Sequence, residues 1–172
     1  MKEQVIRMTK SVLLSAGFIV ALYHECLHLP IICPPADSLQ QCALFNRSKQ
    51  GIANAYGFSG WKEFHDKLGA YGLYDMLDNK REALTDYQID AIVTACGCPN
   101  QFNKFLTKAQ VAEVLNIKLS KLNNPFDSTS KILHTVIYEK RKEGYFTNIS
   151  LISPAEVTCF NATLNYYHVS RR

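Results

Sequence analysis

The sequence predicts an α+β fold, mostly helical, that ends in an antiparallel β-hairpin. Three observations carry this prediction. Apolar residues recur at helical spacing behind capping residues through most of the chain, the spacing is lost after Gly144, and the segments that follow are rich in β-branched and aromatic residues. Of the 172 residues, 47% are hydrophobic and 20% are charged, which supports a folded core and excludes a disordered chain. The net charge of +4 permits an anionic partner without requiring one.

The N-terminal segment has two interpretations. Residues 12–23 are almost wholly apolar and follow three basic residues, as in the charged and hydrophobic regions of a signal peptide. No A-x-A cleavage pattern follows before Pro34, and the run is too short to span a bilayer. The alternative is a first helix over about residues 2–16 and a second, buried helix from Phe18 to about Leu29. A cytoplasmic location is therefore expected, with secretion through residues 1–25 as the alternative.

A His-Glu-x-x-His run lies at the end of this segment. On a helix, His24 and His28 share a face and can bind one zinc ion, while Glu25 would act as the catalytic base on the bound water. The run resembles that of the zincin metallopeptidases, and the resemblance implies a zinc-dependent hydrolase. Pro30 ends the helix just after the second histidine, and no spacing marks a third ligand, although the stretch WKEFHDK holds two candidates. Ordinary packing of a buried helix is therefore preferred, with no cofactor expected and zinc as the alternative.

Cysteines occur singly and once as a close pair: Cys26, Cys33, Cys42, Cys96, Cys98 and Cys159. Their even number would suit disulfides in an oxidising compartment, but a chain of this length folds without them and the spacing fits no compact framework. The close pair is C-x-C rather than C-x-x-C, so neither a thioredoxin-like site nor a zinc knuckle follows. Free thiols in a reducing cytosol are expected, and a secreted, disulfide-bonded binding protein is the alternative.

A pair of helices is predicted in the middle of the chain, over residues 48–68. Ser48 and Ser59 cap the two helices, and Gly57 closes the first in a left-handed turn. The stretch from Gln50 to Trp61 resembles a short helical module of bacterial glyoxalase-related proteins. That resemblance implies a cytoplasmic, bacterial setting and no glyoxalase chemistry. The aromatic residues of the pair are expected to anchor the core.

Three further helices are predicted in the C-terminal half of the chain. Thr85 caps the first and Thr107 caps the second. Asp127 or Ser128 caps the third, which carries an apolar stripe and ends at Gly144.

Two strands are predicted after the third helix. The segments YFTNISLI and EVTCFNATLNYYHV lack a helical stripe, and Ser153-Pro154-Ala155 lies between them as a turn. Three helices followed by a hairpin, from Thr85 to about Tyr167, resemble a winged helix-turn-helix domain. In this resemblance LTKAQVAEVLNI matches the helix before the recognition helix, and STSKILHTVIYEKRKEGYF matches the recognition helix and the step into the wing. The connection from Lys118 to Phe126 departs from the pattern, because it is longer than a DNA-reading turn.

The winged-helix resemblance implies that the third helix binds DNA. From Lys104 to Lys142 there are eight Lys or Arg residues against three acidic residues. The helix would enter the major groove, where its outward side chains contact bases and its last turn neutralises phosphates. The residues expected to do so are Ser128, Thr129, Lys131, His134, Thr135, Tyr138, Lys140, Arg141 and Lys142. A solvated last turn, or a protein partner in place of nucleic acid, is the alternative.

Two regions are therefore predicted, a helical N-terminal region over 1–78 and a winged-helix-like unit over 79–172. The expected function is that of a small, cytoplasmic, non-catalytic nucleic-acid-binding or regulatory protein. The alternatives are a zinc-dependent hydrolase and a secreted, disulfide-bonded binding protein.

Overall fold

Helices form the regular structure of the residues that the computed structural model describes, which are 31–36, 42, 46–78, 80–99, 104–142 and 149–169. Within these ranges the helices are α1 Lys49–Ala55, α2 Trp61–Leu68, α3 Tyr74–Leu77, α4 Asp86–Cys96, α5 Lys108–Val114, α6 Leu119–Asn123, α7 Ser128–Lys140 and α8 Pro154–Val169, with a 3₁₀ turn at Gly69–Tyr71. All of these residues belong to the unit Ile31–Arg172. The two predicted N-terminal helices and the His-Glu-x-x-His run lie outside the described residues.

The predicted pair of helices in the middle of the chain is confirmed. The Ser48 hydroxyl accepts a hydrogen bond at 3.0 Å from a backbone N–H in the first turn of α1, so it caps that helix. Gly57 has a φ of 88°, in the left-handed region that glycine adopts at low cost. The chain then turns back, and the Phe58 N–H donates to the Ala53 carbonyl at 2.9 Å. Helix α2 starts one residue later than predicted, because Gly60 is its N-terminal cap.

An aromatic cluster joins this pair of helices to the segment before α5. The rings of Tyr56, Phe58, Phe64 and Phe105 contact one another with centroid separations from 4.9 to 6.0 Å. Tyr56 and Phe64 are completely buried. The Tyr56 hydroxyl donates to the Gly97 carbonyl at 2.7 Å, which satisfies its one polar group. The aromatic residues are thus core anchors, as the sequence predicts.

The predicted starts of α4, α5 and α7 are also confirmed. Thr85 and Thr107 each accept the N–H of a glutamine three residues later, and the glutamine side chain accepts the threonine N–H in return. At α7 the cap is Asp127, whose Oδ1 accepts the Thr129 N–H at 2.8 Å. The predicted polar connection between α5 and α7 holds the short helix α6.

Two isolated backbone bridges tie the starts of these helices together. Ser48 pairs with Ala83, and Leu106 pairs with Ile152, both in antiparallel orientation. In the second bridge the two residues exchange N–H to carbonyl hydrogen bonds of 2.9 and 2.8 Å. The first bridge lies just before α1 and α4, and the second lies just before α5 and α8. Each bridge therefore aligns two helix starts that are distant in the sequence.

The predicted β-hairpin, and with it the winged-helix fold, is wrong. The described part of the chain contains no β-strand, and the second predicted strand is helix α8. The Ser153 hydroxyl accepts the Glu156 N–H at 3.3 Å, and the Glu156 carboxylate accepts the Ser153 N–H at 2.8 Å. This is a capping box with Pro154 at the first helical position, and it starts a helix rather than a turn. Of the first predicted strand, residues 145–148 lie outside the described residues.

Helix α7 lies deeper in the protein than the sequence indicates. It packs against both α8 and α6. Its buried residues are Thr129, Ser130, Ile132, Leu133, Thr135, Val136 and Ile137. Only a narrow stripe of this helix therefore faces solvent, instead of the broad outer surface expected of a recognition helix.

Candidate functional site

Helix α7 presents part of the predicted nucleic-acid contact set along one stripe. Its members recur every third or fourth residue, so they share one face of the helix. These residues are Ser128, Lys131, His134 and Tyr138. Lys131 is half-buried, and the other three are exposed. Lys140 is half-buried at the end of the helix, and Lys142 is exposed just beyond it.

Three residues of the predicted contact set are buried instead. Thr129 and Thr135 are 8% and 2% exposed. The Thr135 hydroxyl donates back to the Lys131 carbonyl at 2.9 Å. The Arg141 side chain is 6% exposed. These three side chains face the protein interior and do not contribute to an outer surface.

Arg141 forms a buried, two-point ion pair with Glu156. Its Nε donates to Oε1 at 2.6 Å, and its Nη2 donates to Oε2 and to the Leu151 carbonyl, both at 2.7 Å. Burial alone would lower the pKa of the guanidinium, but the hydrogen bonds and the charge of Glu156 outweigh burial and raise that pKa. The pair connects the end of α7 to the start of α8, and its charges neutralise each other inside the protein.

Two other titratable side chains surround this ion pair. Burial and then the charge of Glu156 raise the pKa of Tyr71. The Tyr71 hydroxyl is buried and makes no hydrogen bond of normal geometry within the described residues. The Ser153 side chain is nevertheless close enough to the hydroxyl to lower the pKa of Tyr71 slightly against the effect of burial. Burial and then Glu156 also raise the pKa of the Cys96 thiol. A buried, protonated thiol is a poor nucleophile, so the surroundings of Cys96 do not favour nucleophilic chemistry at this residue.

Two small pockets adjoin the junction of α7 and α8. One has a volume of about 250 Å³ and is lined by Lys140 and Thr158 among others. The other has a volume of about 170 Å³ and is lined by Tyr71, Phe105 and Arg141 among others. Small-molecule sites usually enclose roughly 300 to 1,000 Å³, so neither pocket defines a ligand site.

Exposed apolar and basic side chains follow one another along the chain from the end of α5, through α6, to the turn before α7. Phe126 is 67% exposed, Val114 is 56% exposed and Leu119 is 40% exposed. Lys118 and Lys121 are exposed between them in the sequence and form no ion pair within the described residues. We call these five residues the α5–α7 face. Exposed apolar side chains rimmed by polar groups mark interaction sites on protein surfaces.

His134 adds no charge to the stripe on α7 at neutral pH. Partial burial of its ring, and then the positive charge of Lys108 at the start of α5, lower the pKa of His134. The imidazole is therefore neutral at pH 7, since its ordinary pKa is already about 6.5.

Four of the six cysteines form disulfides, which corrects the expectation of free thiols. Cys33 is bonded to Cys159 in α8, and Cys42 is bonded to Cys98 just after α4. The Cα–Cα distances of 4.4 and 5.8 Å lie in the usual range for disulfides. Cys96 is the free cysteine of the described part, and it is buried. The disulfides thus fasten residues before α1 to helix α8 and to the chain just after α4.

The zinc hypothesis stays a prediction, because the His-Glu-x-x-His run lies outside the described residues. Within the described ranges, no group of three or more His, Cys, Asp or Glu side chains could hold a metal ion. Glu63, one candidate third ligand, is exposed. His65, the other, is buried and stacks between Trp61 and Tyr74, with its Nε2 at 3.0 Å from the Tyr74 carbonyl oxygen.

Comparisons of the chain with protein-family models, with curated proteins and with solved structures each find no match. Among the residues described, no helix is both long enough and apolar enough to cross a membrane. The structure itself therefore defines the class: a helical, disulfide-bonded protein with an exposed face that is both apolar and basic.

Sequence reasoning missed three features of this region, and one of them has a sequence signal. The S-x-x-E pattern at Ser153, with proline at the next position, is typical of a helix start. The bond between Cys33 and Cys159 joins residues 126 positions apart, which no local spacing encodes. The exposure of Phe126 also has no sequence signal, because an aromatic residue after a proline is as compatible with burial as with exposure.

Proposed function

We propose that this protein is a disulfide-stabilised binding protein of an oxidising compartment, and that its α5–α7 face binds an acidic, partly apolar segment of a protein partner. The pair of disulfides is the observation that carries the proposal. Disulfides form and persist in oxidising compartments, whereas the cytosol keeps thiols reduced. The two bonds close segments of 126 and 56 residues, so both contribute to holding the folded chain together.

Exposure and charge support the choice of partner. Phe126 and Val114 each expose more than half of their surface, at 67% and 56%. A nucleic-acid backbone offers no apolar complement to these side chains. An amphipathic acidic segment would cover them and would also pair with Lys118 and Lys121, so charge complementarity would favour its encounter.

Nucleic-acid binding through α7 is the weaker candidate. Its expected contact set includes Thr129 and Arg141, which are buried. The cations left for phosphates are Lys131, Lys140 and Lys142, and two of these three are half-buried. A helix packed against both α6 and α8 also has little free surface to place in a groove.

Cysteine mapping tests the compartment. The protein is purified without reductant from its natural source, denatured and alkylated, and we expect alkylation of Cys96 because it has no disulfide partner among the described cysteines. The four bonded cysteines should stay unmodified until a reductant is added: Cys33, Cys42, Cys98 and Cys159. Peptide mass mapping reads the result. Alkylation of the four without reductant would contradict the proposal.

Charge reversal and polar substitution test the α5–α7 face. The paired change Lys118→Glu with Lys121→Glu, and separately Phe126→Ser, should each weaken binding of the full chain to an immobilised Glu/Leu amphipathic helical peptide. We expect a loss of about tenfold, which corresponds to about 1.4 kcal/mol. Surface plasmon resonance measures the affinity, and circular dichroism checks that each variant is folded.

Matched controls and a DNA arm complete this experiment. Lys62→Glu and Tyr87→Ser make the same kinds of change at exposed positions on α2 and α4, and should leave peptide binding unchanged. Duplex DNA is titrated in parallel over a range of salt concentrations. If DNA binds, weakens steeply with salt, depends on Lys131 and ignores Phe126→Ser, the partner is nucleic acid and the proposed protein partner is wrong.

A further inference from the structure

Helix α8 carries an Asn-x-Thr triplet whose two functional side chains lie in opposite environments. Asn161 is exposed, whereas Thr163 is completely buried. Such a triplet is the acceptor signal for N-linked glycosylation in chains that enter a eukaryotic secretory pathway. Two other triplets occur in the sequence, at Asn46 and Asn148, of which Asn148 lies outside the described residues.

The Thr163 hydroxyl is held by the segment that precedes α1. Its Oγ1 accepts the Ile32 N–H at 3.0 Å and lies 2.8 Å from the Cys159 carbonyl oxygen, to which it donates. The next residue along that segment, Cys33, is the one bonded to Cys159. The disulfide thus fastens a backbone segment directly over the hydroxyl of the acceptor triplet.

We infer that Asn161 is an N-glycosylation site whose occupancy is set by competition with closure of the Cys33–Cys159 disulfide. This inference rests on the proposed oxidising compartment, and it identifies that compartment as the secretory pathway of a eukaryotic cell. A glycosyltransferase must reach both the Asn161 amide and the Thr163 hydroxyl on a chain that is not yet helical there. Once the disulfide closes and Ile32 docks, the hydroxyl is no longer accessible, so transfer must come first.

The glycan transfer and the disulfide formation each use a co-reactant that the secretory compartment supplies. In the transfer, Asn161 Nδ2 forms a bond to the anomeric carbon of a lipid-pyrophosphate-linked oligosaccharide. The bond from that carbon to the phosphate oxygen breaks, the lipid pyrophosphate leaves with the electron pair, and a base takes one amide proton. In the competing reaction, the thiols of Cys33 and Cys159 give two protons and two electrons to a disulfide-forming oxidant.

The triplet at Asn46 provides an internal reference. Asn46 is exposed, and the hydroxyl of its Ser48 accepts the N–H of Gly51, three residues away, at 3.0 Å. That hydrogen bond belongs to the start of α1 and does not depend on Cys33. Occupancy at Asn46 should therefore be independent of the Cys33–Cys159 bond.

The experiment expresses the full chain behind a cleavable leader in eukaryotic secretory cells. Glycans are counted from the gel shift before and after endoglycosidase, and Asn46→Gln and Asn161→Gln assign the sites. We expect partial occupancy at Asn161 in the wild type, the loss of one glycan step in Asn161→Gln, and near-complete occupancy at Asn161 in Cys33→Ser. Cys42→Ser, which breaks the other disulfide, should leave Asn161 at the wild-type level.

Each contrary result has a defined meaning. Full occupancy at Asn161 in the wild type, or none in Cys33→Ser, overturns the inference. An equal rise at Asn46 in Cys33→Ser also overturns it, because general misfolding would then be the cause. Failure of the proposed compartment is visible separately, since cysteine mapping would then find Cys33 and Cys159 as free thiols in the wild type from its natural source.

Discussion

Replacing Glu156 with alanine is expected to lower the free energy of unfolding by about 3–5 kcal/mol. The change leaves the Arg141 guanidinium buried without a counter-charge, because that side chain is 6% exposed and Glu156 is its ion-pair partner. The Ser153 N–H also loses the carboxylate that accepts it at the start of α8. Urea unfolding followed by circular dichroism measures the loss.

Three further variants separate the contributions to this effect. Glu156→Gln keeps an acceptor for the cap but removes the charge, so most of the loss should remain. The double change Arg141→Met with Glu156→Leu should recover much of the stability, because neither charge is then buried. The control Asp86→Ala breaks the ion pair between Arg47 and Asp86, whose side chains are 65% and 59% exposed, respectively. Because this pair is exposed, its loss should cost at most about 1 kcal/mol. If Glu156→Ala costs no more than Asp86→Ala, the buried pair does not hold α7 to α8.

Removing the Cys33–Cys159 disulfide by a double change to serine is expected to cost about 2–5 kcal/mol. The bond restricts the unfolded chain over a separation of 126 residues, and its loss returns that conformational freedom to the unfolded state. Urea unfolding of the variant and of the wild type gives the difference.

The second disulfide provides the matched comparison. Its residues, Cys42 and Cys98, are 56 positions apart, so the entropy of loop closure makes its removal cheaper by about 0.7 kcal/mol. Dithiothreitol should bring the wild type down to the stability of a variant that lacks both bonds. A wild-type midpoint that does not move with reductant would mean that the bonds do not stabilise the folded protein, which would remove the main support for an oxidising compartment.

Several helix starts could be predicted because they depend on hydrogen bonds over a few residues. Ser48, Thr85 and Thr107 cap their helices through backbone N–H groups within three positions, so each decision is local. The turn at Gly57 is local for the same reason, because only glycine adopts that φ without strain.

Helix α8 shows where local preference was misleading. Its β-branched and aromatic residues favour a strand when they are considered alone. In the folded protein, the apolar side chains that share one side of the helix are buried, namely Val157, Phe160 and Leu164. The capping box of Ser153 and Glu156 and the ion pair with Arg141 hold the first turn in place. Burial and these contacts outweigh the weak intrinsic preference of the residues.

The candidate site could be predicted only in part. The α7 stripe follows from helical spacing, and Ser128, His134 and Tyr138 do face solvent. The α5–α7 face was not predicted, because the exposure of Phe126 depends on how far the neighbouring helices extend over it. The expected role of Arg141 was not supported by its position. A basic residue at a helix end is exposed in most proteins, and its buried partner Glu156 lies 15 residues further along the chain, in a segment that the sequence did not place beside it.

The sequence by itself determined the starts of α1, α4, α5 and α7 and the apolar side of α7, because capping and helical periodicity act within a few residues. The capping box of Ser153 and Glu156 marks the start of α8 locally, but only the tertiary structure decided that Arg141 is buried against Glu156 and that Cys33 is bonded to Cys159. Each of these outcomes depends on contacts between segments that meet only when the chain folds, so the free energy that selects them is absent from any local stretch of sequence.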